Sequence, residues 1–221
     1  MPNARNILLP IAHHLGMSSS IRSQGHSLID TLFVLFILAL LGGMAASAMQ
    51  SLQTSARLQS TAEALHSAVL SARTQAMRLE KRVTLCAAAA SPPDSLLPMR
   101  CHVTSDGNTN SNANANGLNV WRQGWLMFED DNNNGTWDVN EGRLQQQAAV
   151  HADVSVSGNV TVSRFVSFGA SGRSLALNGA FQAGTLTVCQ RQTQEARGWR
   201  VVVNAVGRPR LEKTTISDCP D

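Results

Sequence analysis

The sequence predicts an α+β fold in which one long N-terminal helix packs on an antiparallel β-sheet domain. Three observations predict it. Nineteen consecutive residues from Thr31 to Met49 carry no charge. A stripe of Leu58, Ala62, Leu65, Val69, Ala72 and Ala76 follows, spaced alternately by four and three. Past Lys81 the chain turns to short β-rich segments bounded by Gly, Asn and Ser. A helix first and a run of strands after it is the element order that sets a helix against an antiparallel sheet.

The four-and-three spacing is the mark of a single apolar helical stripe. Gln53, Arg57, Gln59, Glu63, Arg73, Gln75 and Arg78 fall mostly on the opposite face. No proline occurs between Met17 and Pro92. One helix over residues 27–80 is therefore predicted, about 80 Å long at 1.5 Å per residue. Gly42-Gly43 is its weakest point, where a bend or local melting is expected. The half over 26–50 is long enough to cross a hydrocarbon core of roughly 30 Å and reads as transmembrane. The half over 51–81 is amphipathic, and residues 82–221 form an exported β-rich domain. Arg5 and Arg22 precede the apolar run with no acid before Asp30, which favours a cytoplasmic N-terminus. The rival reading is a cleaved secretory signal, with Ala46-Ser47-Ala48 as a small-residue site behind the run.

In the C-terminal domain the candidate strands are Arg82–Cys86, Trp125–Phe128, Leu144–Val150, Val160–Phe168, Thr185–Gln190 and Trp199–Val203. Residues 105–119 are a low-complexity Asn/Gly loop with almost nothing to bury. Cys86, Cys101, Cys189 and Cys219 form no C-x-x-C pair, so they read as two disulfides of an exported domain rather than a zinc site. Three pairings are open. Local loop closure favours Cys86–Cys101 with Cys189–Cys219, each worth about 3 kcal/mol through the unfolded chain.

The formal net charge is +3. Loss of residues 1–25 would remove Arg5 and Arg22, leaving 16 basic against 15 acidic side chains, so net charge carries no nucleic-acid argument. Local distribution does. Residues 191–213 hold six basic side chains (Arg191, Arg197, Arg200, Arg208, Arg210, Lys213) against Glu195 and Glu212. Within them, Gly207-Arg208-Pro209-Arg210 sets two guanidinium groups around a proline of fixed φ. Arginine forks match phosphate oxygens, although a solvated hairpin turn would have similar letters.

The run DDNNNGTWDVNE fits the calcium-loop pattern D-x-[DN]-x-[DN]-G-x5-E. It offers oxygens from Asp130, Asn132, Asn134, the Thr136 carbonyl, Asp138 and Glu141. A predicted strand precedes it where an EF-hand has a helix, and an Asn/Gly hairpin turn would produce the same composition. Trp121, Trp125, Trp137 and Trp199 lie on separate segments and read as packing residues. His66, His102 and His151 have no ligand spacing. No nucleophile elbow, H-E-x-x-H, P-loop or catalytic carboxylate pair occurs, so an enzyme is the least supported class.

The residues Gly25-His26-Ser27-Leu28-Ile29-Asp30, directly before the apolar run, resemble the type III signal of type IV prepilins and type II secretion pseudopilins. The resemblance implies cleavage between Gly25 and His26 by prepilin peptidase and N-methylation of His26. His26 replaces the usual Phe or Met, and Asp30 the usual Glu. The 25-residue leader is long for the class; a start at Met17 would give the short leader MSSSIRSQG. Asp30, costly at the membrane end of an apolar helix unless paired, would meet the terminal ammonium of a neighbouring subunit. Its local alternative is a favourable charge on the helix dipole.

The stretch Arg57–Cys86, the Gly124–Phe128 strand with its Asp/Asn loop, and Gly207–Arg210 are similar to the FimT/GspH group of minor pilins. That resemblance implies a single-pass inner-membrane protein with a periplasmic C-terminal domain, later drawn into a pilus or pseudopilus with other pilin subunits. In FimT-like pilins a C-terminal GRxR motif is associated with DNA capture in natural transformation. The implied role falls here on Gly207, Arg208 and Arg210, with Arg200 and Lys213 adding charge, toward duplex DNA without base specificity. The alternative implied is a GspH-like pseudopilin of type II secretion with a purely structural role. Related minor pilins carry loops comparable to 130–141 without this implying bound metal, and no other cofactor is expected.

Overall fold

Helix α1 runs Leu28–Leu79 without interruption, within a residue of the predicted bounds. It ends where Glu80 takes a left-handed φ of 54°, a conformation that costs a side chain-bearing residue about 1–2 kcal/mol and cannot continue a helix. The computed structural model describes residues 27–89, 99–102, 120–191, 196–217 and 219, with backbone alone at 44–48 and 196. The expected processing residues Gly25 and His26 lie outside these, as do Met17 and the 105–119 loop. The chain divides into two units, Met1–Ala46 and Ser47–Asp221.

In the first unit the side chains of Leu28, Ile29, Leu32, Phe33, Val34, Leu35 and Phe36 are all more than half exposed. Thr31 Oγ1 donates to the Leu28 carbonyl at 2.7 Å, and the Asp30 N–H donates to the Ser27 carbonyl at 2.9 Å. Among the described residues no helix is long and apolar enough to cross a membrane.

In the second unit the predicted stripe is the core-facing side of α1. Leu58, Ala62, Leu65, Val69, Ala72 and Ala76 are buried, joined by Ala68. They pack with residues of two four-stranded antiparallel sheets, not one. The first has the order β3-β2-β1-β5, from Arg143–Gln147, Trp125–Glu129, Val83–Ala87 and Phe165–Phe168. The second has the order β4-β6-β7-β8, from Val154–Gly158, Gly184–Gln190, Ala196–Val203 and Pro209–Ile216. Alternation decides what each strand gives to the core. Val83, Leu85 and Ala87 of β1, Trp125 and Met127 of β2, and Val166 and Phe168 of β5 join the α1 cluster. Leu126, Phe128 and Cys86 point the other way into a smaller cluster with Cys101, against which Trp137 and Phe165 pack. Cys86 is bonded to Cys101 and Cys189 to Cys219, the pairing that local closure favours.

Three strand expectations are corrected. Val160–Phe168 is not one strand: Val160–Val162 form a 3-10 turn and only Phe165–Phe168 pair. The chain passes there from the second sheet to the first, and Thr161 and Ser163 hydroxyls bond to the Ala183 and Val160 carbonyls instead of flanking a ladder. The strand expected to reach Val150 stops at Gln147, and the Val150 N–H turns to the Arg122 carbonyl. Two strands, β4 and β8, stand where none is predicted. Strand β8 is an edge strand carrying Arg210, Glu212 and Lys213, and charge on an edge is a common guard against pairing with other chains.

Candidate functional site

The calcium-like loop leaves β2 and folds over the first sheet. Asp130 is fully buried. Its carboxylate accepts from Thr84 Oγ1 at 2.7 Å, from the Asn134 N–H at 2.9 Å and from the Gly135 N–H at 3.1 Å. Glu141 accepts from the Asp131 and Asp138 N–H groups at 3.1 and 3.0 Å. Asp138 accepts from the side-chain amides of Asn132 and Asn134 at 2.7 and 2.9 Å. The amide oxygens of those two asparagines accept from the backbone of Asn134 and Thr136. The side-chain oxygens of Asp130, Asn132, Asn134, Asp138 and Glu141 thus all accept hydrogen bonds, from the loop itself and, at Asp130, also from Thr84 of β1. Among the described residues no group of three or more His, Cys, Asp or Glu is arranged to hold a metal ion. Burial pushes the Glu141 carboxyl above its ordinary value, and the nearby Asp130 and Asp138 carboxylates push the same way. Trp137 closes the loop by donating to the Glu141 carbonyl at 3.1 Å, with the Arg143 guanidinium 3.6 Å over its ring. At the rim Lys81 bridges Asp131 at 3.1 Å and Glu129 at 3.3 Å, which raises its pKa.

The basic segment is built differently. After β7 the chain reverses through Asn204–Gly207, where the Gly207 N–H donates to the Asn204 carbonyl and the Arg208 N–H to Asn204 Oδ1, both at 2.8 Å. Gly207 takes φ 77°. The turn therefore ends before Arg208, and Pro209 already opens β8 opposite Val203. Arg210 is a strand residue facing Val202 in register, not a turn residue as the motif alone implies.

Register separates the four predicted cations. Val201 and Val203 are core residues, so Arg200 and Val202 lie on the outer face, with their partners Glu212 and Arg210. Arg210 pairs with Glu212 at 3.4 Å. Lys213 pairs in register with Trp199 on the opposite face, its ammonium 5.7 Å from the ring centroid. Arg208 is exposed, and among the described residues its guanidinium has no hydrogen-bond or ion-pair partner.

The fold brings to Arg208 residues that sequence reasoning passes over. A Cβ on Gly207 would lie 2.0 Å from the Gly172 carbonyl oxygen, so the turn containing Gly172 touches the β7–β8 turn backbone to backbone. Arg73 of α1 donates from Nε to that same carbonyl at 3.0 Å. Arg173 follows Gly172, its guanidinium 5.3 Å from the centroid of Phe181, a residue 62% exposed. The only sequence signal for this meeting is a repeated Gly-Arg step, at 172–173 and 207–208. The same step at 142–143 shows how little it says alone.

A family model described as Type II transport protein GspH matches residues 61–207. Crystal structures of the Pseudomonas aeruginosa type IV minor pilin FimU, in two crystal forms, are similar to this chain at 17% and 16% identity, each with a TM-score of 0.45. The similarity covers 73% of this chain and 94% and 99% of the FimU chains. No curated protein matches the sequence.

Proposed function

We propose that this chain, which belongs to the GspH family, serves as a minor subunit of a membrane-assembled, pilus-like filament and offers an arginine-bearing turn to DNA. Its family is one of minor pilins and pseudopilins of the type IV pilin superfamily. The observation that carries the filament reading is the start of α1. Seven large apolar side chains between Leu28 and Phe36 are more than half exposed, with Asp30 as the acid of the first turn. Such a surface needs lipid or neighbouring subunits around it. In this reading prepilin peptidase cuts between Gly25 and His26, the new terminus is methylated, and the helix waits in the inner membrane with the β domain in the periplasm. Asp30 then draws the ammonium of an adjacent subunit's first residue. The test is the fraction sheared from cells as filaments. The chain is expected there, and Asp30→Ala is expected to remove it from filaments while leaving it in membranes. A chain confined to membranes, or an Asp30→Ala chain that assembles as well as wild type, overturns the reading.

The DNA role rests on Arg208, exposed at the end of a fixed turn and free of any ion pair among the described residues. The competing role is a structural pseudopilin of type II secretion. A deletion strain tested for both DNA uptake and secretion separates them: loss of uptake with secretion intact supports the first, and the reverse supports the second. For the 130–141 loop we propose a structural role, pinning the outer face of β1 and β2. A calcium titration of the chain in detergent is expected to give no saturable heat, and a one-to-one isotherm overturns this.

A further inference from the structure

We propose that the turn at Gly172-Arg173 and the turn at Gly207-Arg208 form one phosphate-binding surface for duplex DNA, in which Arg173 is a contact equal to Arg208. The inference rests on the DNA reading above and changes which residues carry it. Both turns place a glycine at left-handed φ, 72° and 77°, and each glycine is followed at once by an arginine. The glycines touch: a methyl group at Gly207 would sit 2.0 Å from the Gly172 carbonyl oxygen. Two arginines flanking touching backbones are held near each other although 35 positions separate them in the sequence.

Arg73 reinforces the arrangement. Its bond to the Gly172 carbonyl ties that turn to α1 and adds a third cation beside it. The segment that carries Gly172 and Arg173 has no acid of its own, because no Asp or Glu occurs between Asp153 and Glu195. The outer face of β8 contrasts with this, since Arg210 there is paired with Glu212 and Lys213 lies on the other side. Guanidinium forks suit phosphate oxygens, and such contacts bind the duplex without reading bases. Gly207 and Gly172 are positioning residues, and their task is to let the two turns meet.

The full chain in detergent, titrated into a fluorescent duplex of arbitrary sequence at several salt concentrations, tests this. Arg173→Ala is expected to weaken binding about five-fold at low salt and to reduce the salt slope by about 0.9, the value of one phosphate contact. Arg208→Ala should do the same, and Arg210→Ala should do less. Gly207→Ala keeps every charge and is still expected to weaken binding. Arg197→Ala, at the far end of β7 some 20 Å from the turn by strand rise, serves as the charge-matched control and should bind within two-fold of wild type. Arg173→Gln repeats the test if alanine disturbs the turn. Wild-type binding by both Arg173 variants, with Arg208→Ala weakened, overturns the shared surface and leaves the DNA reading intact. No binding by wild type overturns both.

Discussion

The acidic loop at 130–141 and the basic turn at 204–210 are comparable as motifs, yet the structure uses their charges in opposite ways. In the loop, Asp130 is fully buried and takes three hydrogen bonds, Glu141 takes two backbone N–H groups, and Asp138 takes two side-chain amides. In the turn, Asn204 satisfies the backbone, and the Arg208 guanidinium is left exposed. A charged group engaged by its own loop acts on stability. A charged group whose backbone is satisfied by something else is available to a partner. The difference lies in the neutral residues between the charges, which the motif patterns leave almost unspecified.

That contrast can be broken most forcefully at Asp130. Asp130→Ala strands the Thr84 hydroxyl and two backbone N–H groups in a buried setting and is expected to cost about 3 kcal/mol. Thermal unfolding should show it as a fall of roughly 6–12 °C, with DNA affinity of the folded protein unchanged. Gly207→Ala comes next, at about 2 kcal/mol, because a side chain there meets both an unfavourable φ and the Gly172 carbonyl. Arg208→Ala should change stability by less than about 0.5 kcal/mol, as surface substitutions do, while weakening DNA binding. A stability loss at Arg208 as large as that at Asp130 would erase the contrast.

The smallest effect is a pH dependence near the start of β4. Burial works to raise the Asp153 pKa, but hydrogen bonds from His151 and Arg57 outweigh it and hold the carboxyl below its ordinary value. Arg57 reaches it at 3.2 Å, with both side chains about a third exposed or more. A depressed carboxyl contributes stability above its unfolded pKa of about 3.9 and loses it as pH falls through the folded value. Wild type should therefore exceed Asp153→Asn by about 0.5 kcal/mol at pH 7, and the gap should close in acid. Glu141 has the opposite sign. Its raised pKa makes the ionised form the costly one, so its cost disappears as pH falls through the folded value.

Long-period features were readable from the sequence and short irregular ones were not. The α1 stripe repeats over six positions, and each predicted member is buried. Strands β1, β2, β6 and β7 carry β-branched or aromatic residues on their core face, which is why their centres are where the pattern puts them. Strand β8 escaped because an edge strand pairs on one side only and tolerates Arg210, Glu212 and Lys213. The split of Val160–Phe168 escaped because a passage between sheets has no pattern of its own. The candidate site was half readable. Gly207-Arg208 was visible as a motif, but the approach of Gly172 and Arg73 is a tertiary contact between positions 35 or more apart in sequence. No local pattern encodes it.

The most direct test of the filament account is the intact mass of the mature chain recovered from cells that carry prepilin peptidase. The account predicts a chain that begins at His26, with the mass of residues 26–221 plus one CH2 for the methylation and less four hydrogens for the two disulfides. A chain that keeps residues 1–25, or one cut behind Ala48, would contradict it.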